Sequence, residues 1–160
     1  MAKGTLATVA LDRAGVSYRL TEYAYNPGAA GVGLQAAEAL GADPAQVFKT
    51  LMVLADGKSA CAILASDREL AMKALAAALG AKSVAMMPAA DVERVSGYKI
   101  GGVSPFGQKR RVPVVIDSVA MRWAEIYLNG GRRGLQVLVA PSDAVACLGA
   151  TIAEIAQPVG

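Results

Sequence analysis

The sequence predicts an α+β (α/β) domain on a mixed sheet, and three observations lead there. Segments with helical spacing of apolar residues are interspersed with segments of strand-like alternation. The strands are joined by hairpin turns, at Asp56-Gly57 and across the glycine-rich run 129–134, rather than by regular βαβ units, which favours antiparallel or mixed pairing. Hydrophobic residues fill 54% of 160 positions, enough for one core without disulfide or metal staples. No repeat, low-complexity tract or linker divides the chain, so residues 1–160 are read as a single domain.

Thr5 to Ala14 reads as a first helix, with Leu6, Val9 and Ala10 on one side and Gly15 ending it. Tyr18 to Tyr23 alternates apolar with polar residues and reads as a strand. Asn26-Pro27-Gly28 forces a turn, and Gly31 and Gly33 keep the chain loose before a helix over Gln35–Leu40. Val47 to Ala55 and Ala60 to Ala65 read as hairpin strands about Asp56-Gly57. Ala71 to Leu79 is an Ala/Leu-rich helix stopped by Gly80, and Pro88 opens a short helix reaching Val95. Beyond the glycine loop come a strand at Val112–Asp117, a helical turn near Val119–Trp123, and a hairpin of Ile126–Leu128 with Leu135–Val139. Pro141 starts a last helix to Leu148.

Composition removes several chemistries. The chain contains no histidine, which excludes Ser-His and Cys-His nucleophile pairs, imidazole bases and His-ligated metals. Cys61 and Cys147 lie far apart in apolar runs and read as structural thiols; no metal or cofactor is expected. The N-terminal segment carries Asp12 and Arg13 rather than a signal peptide's apolar core, and no apolar run approaches a membrane span. A cytoplasmic protein with no membrane partner is expected. The net charge is only +3, yet residues 109–133 hold six cations against two acids. This patch is either a solvated face or a phosphate-binding one.

Two features could carry chemistry. The first is Gly101-Gly102-Val103-Ser104-Pro105-Phe106-Gly107-Gln108-Lys109-Arg110-Arg111, an irregular loop whose amides could face a carbonyl or anion beside a triple cation. It lacks the Gly-Lys-Ser/Thr of a P-loop and the context of a dinucleotide fingerprint, and it could equally be a long structural turn. Ser104 is either structural or a nucleophile, with Lys49 or Lys109 as its base in the absence of histidine. The second feature is Lys49, which interrupts the apolar stretch 47–53 on the face opposite Phe48. It is either an outward-facing cation or one aimed into a cleft, where a point charge suits a phosphate or polarised carbonyl.

Several motifs in order resemble the YbaK/EbsC family of aminoacyl-tRNA deacylases, related to the editing domain of bacterial prolyl-tRNA synthetases. The resemblance rests on Gln46-Val47-Phe48-Lys49-Thr50-Leu51, Ala78-Leu79-Gly80-Ala81-Lys82, Ser96-Gly97-Tyr98 leading into the Gly101 loop, and Tyr127–Leu135. It implies a barrel-like mixed sheet surrounded by helices, and hydrolysis of a mischarged ester on tRNA(Pro). It places Lys49 on the phosphate–sugar region of the terminal adenosine, and the amides of Gly101 and Gly102 on the ester carbonyl, as an oxyanion hole would require. The nucleophile would be water or the substrate's own side chain, so no protein nucleophile is needed.

The same resemblance makes Tyr23, Tyr25, Val32, Ser104, Pro105, Phe106 and Gln136 candidates for the substrate pocket, with Tyr23 or Phe106 stacking on the terminal base. Lys109, Arg110, Arg111, Arg132 and Arg133 become candidates for the acceptor-stem phosphates. The partners it implies are the tRNA(Pro) acceptor end and prolyl-tRNA synthetase, not DNA. Departures bear on specificity. Relatives that clear Cys carry an acid and a histidine where this chain has Ala24 and Tyr25, an aromatic at Val32 and an aspartate at Gln136, so cysteine is not the assumed acyl group. The alternative from another class is a non-catalytic tRNA- or protein-binding regulator on the same fold. Hydrolysis of a different small acyl ester would leave the basic patches unused.

Overall fold

A computed structural model describes residues 4–26 and 32–160, apart from the side chain of Val32. In chain order the elements are α1 (Leu6–Arg13), β1 (Tyr18–Glu22), α2 (Val32–Leu40), β2 (Phe48–Ala55), β3 (Lys58–Ala65), β4 (Arg68–Leu70), α3 (Met72–Leu79), β5 (Val84–Met86), α4 (Ala89–Ser96), β6 (Val114–Asp117), β7 (Ile126–Asn129), β8 (Leu135–Val139), α5 (Pro141–Leu148), β9 (Thr151–Ala153) and β10 (Ala156–Pro158). A 3-10 turn at Ser118–Arg122 links β6 to β7.

The main sheet is mixed, in the order β5-β2-β3-β6-β9. β2 and β3 pair antiparallel from Phe48↔Ala65 to Ala55↔Lys58, whereas β3–β6 and β6–β9 are parallel. The hairpin turn fits its residues: Asp56 has φ 49 and Gly57 φ 81, the positive values a two-residue turn between twisted strands requires. A second sheet, β1-β8-β7, is antiparallel throughout, and β10 pairs with β4 in a separate ribbon. A parallel bridge between Val47 and Tyr127 stitches the first two sheets together, and this is the form the expected barrel-like closure takes.

β2 is apolar on both faces because both are covered. Phe48 and Met52 face a core with Leu11, Ile63, Phe106, Ile116, Ile126 and Leu128. Val53 faces a second cluster with Leu75, Val115 and Ile155 beneath α3. Each large side chain so enclosed contributes about 1.5–3 kcal/mol over leaving it in water. Cys61 lies fully inside, and burial pushes its thiol up to about 12. Cys147 is half-buried and also raised by burial, with Arg111 opposing, so neither thiol is poised as a nucleophile.

The structure departs from the sequence expectation in short elements. β4, β5, β9 and β10 each span three residues, too few for an alternation to register. Gly33 lies inside α2 rather than in a loose approach to it, while Gly31 is outside the described residues. The strand expected from Val112 begins at Val114. Pro113 has no N–H to give a ladder, although its carbonyl still accepts the N–H of Cys61 at 2.9 Å. Among the described residues no helix is long and apolar enough to cross a membrane.

Candidate active site

One edge of β2 is paired with β3 along its whole length. On the other edge it meets Tyr127 at Val47, and β5 only from Val53 onward. Met52 O accepts the N–H of Met87 on this second edge, so by alternation the main-chain polar groups of Thr50 also point that way. The gap opens into a cavity of about 550 Å³, lined by β2, the β5–α4 segment, Gly101 and Val103 of the glycine loop, and Asn129 and Gln136 of the second sheet. Its walls are largely apolar (Met52, Met86, Met87, Val92, Ile100), and among the described residues none of those lining it carries a carboxylate.

Lys49 borders this cavity, which favours the cleft reading over the fully outward one. The side chain is half-buried, and Nζ donates to Arg68 O at 2.6 Å. Burial pulls the ammonium below its ordinary pKa, while the nearby carboxylates of Asp67 and Glu69 push the other way. The result is a tethered cation whose cost of desolvation is only partly offset.

Gly101 has φ +90, and a methyl group there would lie 3.0 Å from the Tyr25 hydroxyl and 3.1 Å from Arg133 Nε. Its N–H takes no acceptor among the described residues, and its carbonyl receives Asn129 Nδ2 at 3.4 Å. Gly102 differs from the expectation. Its N–H donates to Lys99 O at 2.8 Å, and its Cα packs so tightly on the Arg132–Arg133 backbone that a Cβ would fall 2.8 Å from Arg133 N. The Gly102 amide is therefore engaged in a turn, whereas the Gly101 amide is left to act as a donor.

The Ser104-Pro105-Phe106 portion of the loop also departs from the pocket role. All three residues are buried, and Phe106 is 0% exposed, so it presents no face on which a base could stack. Ser104 Oγ accepts the N–H of Phe106 at 3.2 Å, and Phe106 O accepts the Tyr98 hydroxyl. This turn is the loop's anchor, and Ser104 is structural. Gln108 completes the anchoring by donating to Ser104 O at 3.0 Å beside Met52 Sδ.

Gln136 lies in β8 opposite Thr21 and Asn129. It is only 2% exposed, borders the cavity, and its Oε1 has no hydrogen-bond partner. The Tyr23 ring packs beside α2 and Val47 rather than lining the cavity. Its hydroxyl is likewise unpartnered, and burial raises its pKa although the Gln136 amide next to it acts in the opposite sense. Tyr25 sits at the Gly101 rim with the Arg133 guanidinium 5.5 Å from its ring centroid. Val32 opens α2, and its side chain lies outside the described ones.

The basic residues separate into two groups. Arg133 Nε donates to Ile100 O at 2.8 Å, and Arg132 pairs with Glu22 at 3.0 Å, so these two brace the rim of the glycine loop. Lys109, Arg110 and Arg111 are exposed, border no part of the cavity, and make no ion pair among the described residues. Asn129 escaped the sequence reading as a site residue. Its Oδ1 accepts the N–H of Gly131 at 2.7 Å while Nδ2 reaches Gly101 O, and an asparagine before paired glycines was the signal available. Thr50 and Ser66 also line the cavity, and nothing in the linear pattern marked them.

Comparison with known proteins places the chain in a family and identifies its fold. Residues 27–147 match the family model of the aminoacyl-tRNA editing domain. The chain is 34% identical over 120 residues to an Enterococcus faecalis protein provisionally named Cys-tRNA(Pro)/Cys-tRNA(Cys) deacylase EbsC, covering 74% of this chain and 73% of that one. It is 32% identical over 85 residues to a proline–tRNA ligase of Acidithiobacillus ferrooxidans, where the match spans 53% of this chain but 15% of the ligase. Two solved structures share the fold. One, provisionally described as a trans-editing enzyme for prolyl-tRNA synthetase, has a TM-score of 0.83 at 22% identity over 95% of both chains. The other, a hypothetical protein, has a TM-score of 0.84 at 24% identity over 95% of this chain and 99% of that one. The chain belongs to the aminoacyl-tRNA editing domain family, and its chemistry is that of an aminoacyl-tRNA hydrolase.

Proposed function

We propose that the protein clears a small, non-cognate aminoacyl group from tRNA(Pro) in trans, at the cavity beside Lys49. The observation that carries this reading is that Lys49, a half-buried cation, and Gly101, whose N–H takes no acceptor among the described residues, both border a mostly apolar cavity of about 550 Å³. That volume exceeds what a small amino acid needs and leaves room for part of the terminal nucleoside. Lys49 holds the phosphate–sugar region of the terminal adenosine, and the Gly101 N–H meets the ester carbonyl as negative charge develops on it. Water attacks the carbonyl carbon, the bond to the ribose oxygen breaks, and the free amino acid and tRNA leave.

Specificity follows from the walls. With no carboxylate among the described lining residues, the unpartnered Oε1 of Gln136 and the Thr50 main chain are the acceptors for donors on the acyl group. The methionine and valine walls suit a short apolar side chain, and alanine and 2-aminobutyrate fit this description better than serine or threonine. Tyr25 and Arg133 form the rim over which the 3′ end enters. Lys109, Arg110 and Arg111 receive acceptor-stem phosphates, and the relatives named above support prolyl-tRNA synthetase as the companion enzyme.

The test is deacylation of tRNA(Pro) charged separately with Cys, Ala, Ser, 2-aminobutyrate and Pro. The expected result is fastest loss of Ala or 2-aminobutyrate with Pro spared. Turnover of none of the five would overturn the assignment to tRNA(Pro).

A further inference from the structure

We infer that the C-terminal strand β10, fastened by the buried carboxylate of Asp117, is a positioning element for Lys49; this rests on the role proposed above for that lysine. The chain of contacts is continuous. Asp117, at the end of β6, is 4% exposed, and its Oδ1 accepts the N–H of Ile155 at 2.9 Å and of Ala156 at 3.3 Å. Ile155 is fully buried, and its carbonyl takes the N–H of Ala71 at 2.7 Å. Held at this point, β10 runs antiparallel to β4 in the register Ala156↔Leu70, Gln157↔Glu69, Pro158↔Arg68. Gln157 Nε2 donates to Glu69 Oε1 at 3.1 Å. β4 in turn presents Arg68 O, the acceptor of Lys49 Nζ.

Each link has a reason to be specific. A carboxylate that accepts two main-chain amides fixes the direction in which the chain leaves it, and charge assistance makes such bonds stronger than neutral ones. A three-residue strand such as β4 has too little ladder to hold its own position, and β10 is its one strand partner in the topology of the described residues. Without β10, Arg68 O would be free to drift, and Lys49, on a flexible four-carbon stem, would lose the hydrogen bond that aims it. Val159, just past β10, also borders the cavity. The strand itself, with Ile155 before it and Val159 after it, lies beyond residue 147, where the family match stops.

Three variants test the positioning: Asp117→Ala, Asp117→Asn, and a chain ending at Ile155. The carboxamide of Asp117→Asn keeps an oxygen that can accept both amides, so it serves as the conservative rescue. The readouts are deacylation kinetics and the ¹³C NMR titration of the Lys49 side chain, which reports on that lysine whether or not the substrate is correctly named. Lys49 is faced by Asp67 and Glu69 as well as by Arg68 O, and its depressed value reflects chiefly burial. Opening the ribbon changes the burial of Nζ, its bond to Arg68 O and its distance from Glu69 together, so the midpoint should move from its wild-type value in Asp117→Ala and in the shortened chain, and stay near wild type in Asp117→Asn. Misplacing a positioning group by about an ångström costs about 100-fold, so kcat/KM should fall about 10- to 100-fold where the midpoint moves. A folded Asp117→Ala or shortened chain with an unchanged Lys49 titration would overturn the proposal. So would a moved midpoint with unchanged kcat/KM. Wild type that turns over no aminoacyl-tRNA would instead count against the functional reading, while the Lys49 midpoints would still decide whether β10 aims the side chain.

Discussion

Lys49 carries a conflict that can be measured. Burial disfavours its charge, yet the proposed role needs that charge for a phosphate. Replacing it with an uncharged side chain of similar length, Lys49→Met, should abolish deacylation without lowering the melting temperature, because removing a partly desolvated cation offsets the loss of its bond to Arg68 O. The sign of the pH dependence follows from the depressed value. The unfolded chain holds the Lys49 proton more tightly, so wild type gains stability relative to Lys49→Met as pH rises from the folded value toward the ordinary lysine value. Paired melting curves across alkaline pH check this, and a difference that is flat with pH would contradict it. Activity that depends on the cation should fall at a lower pH than an unperturbed lysine would give. Much of this residue's story could be read in the sequence, where a lysine inside an apolar strand had two readings. The choice between them needed Arg68 O, 19 residues away in a strand too short to see.

The glycine loop is the element where sequence and structure diverge most usefully. Its glycines suggested a set of free amides, but Gly102 is not one of them, because it spends its N–H on Lys99 O and its missing side chain on the Arg132–Arg133 backbone. Two substitutions separate these functions. Gly101→Ala forces a Cβ into a left-handed conformation against Tyr25 and Arg133, costing about 1–2 kcal/mol and tilting the amide. Gly102→Ala overpacks two loop backbones against each other and should cost about 1–3 kcal/mol. Denaturant midpoints give both stabilities. Activity per folded molecule should fall more for Gly101→Ala, and the reverse order would point to Gly102 as the donor. The Ser104–Phe106 anchor was not legible, since a buried serine and an exposed one look alike in a linear pattern. The three-residue strands were invisible for a related reason: main-chain contacts with distant partners define them, not a period of their own.

At the scale of the whole molecule, mixed pairing and hairpin connectivity were readable because long elements such as β2, β3 and β8 carry their own patterns. What could not be read was the gap left on the β2 edge between Tyr127 and β5, because an unpaired stretch is defined by what fails to reach it. The charge layout leads to a further expectation. Lys109, Arg110 and Arg111, exposed and without an ion pair among the described residues, should carry the salt-sensitive part of tRNA binding. Arg132 and Arg133 are instead partly committed to Glu22, Ile100 O and Tyr25. Neutralising one of the first three should lower the slope of log K against log salt by about one for each phosphate the variant no longer neutralises. An unchanged slope for all three would place the RNA elsewhere. Hydrolysis at the cavity beside Lys49 underlies all of these expectations. The decisive measurement is amino acid released from mischarged tRNA(Pro) with enzyme far below substrate, comparing wild type with Lys49→Ala. Many turnovers by wild type and almost none by the variant are expected; equal turnover by both, or retention of the ester by wild type despite tight RNA binding, would contradict it.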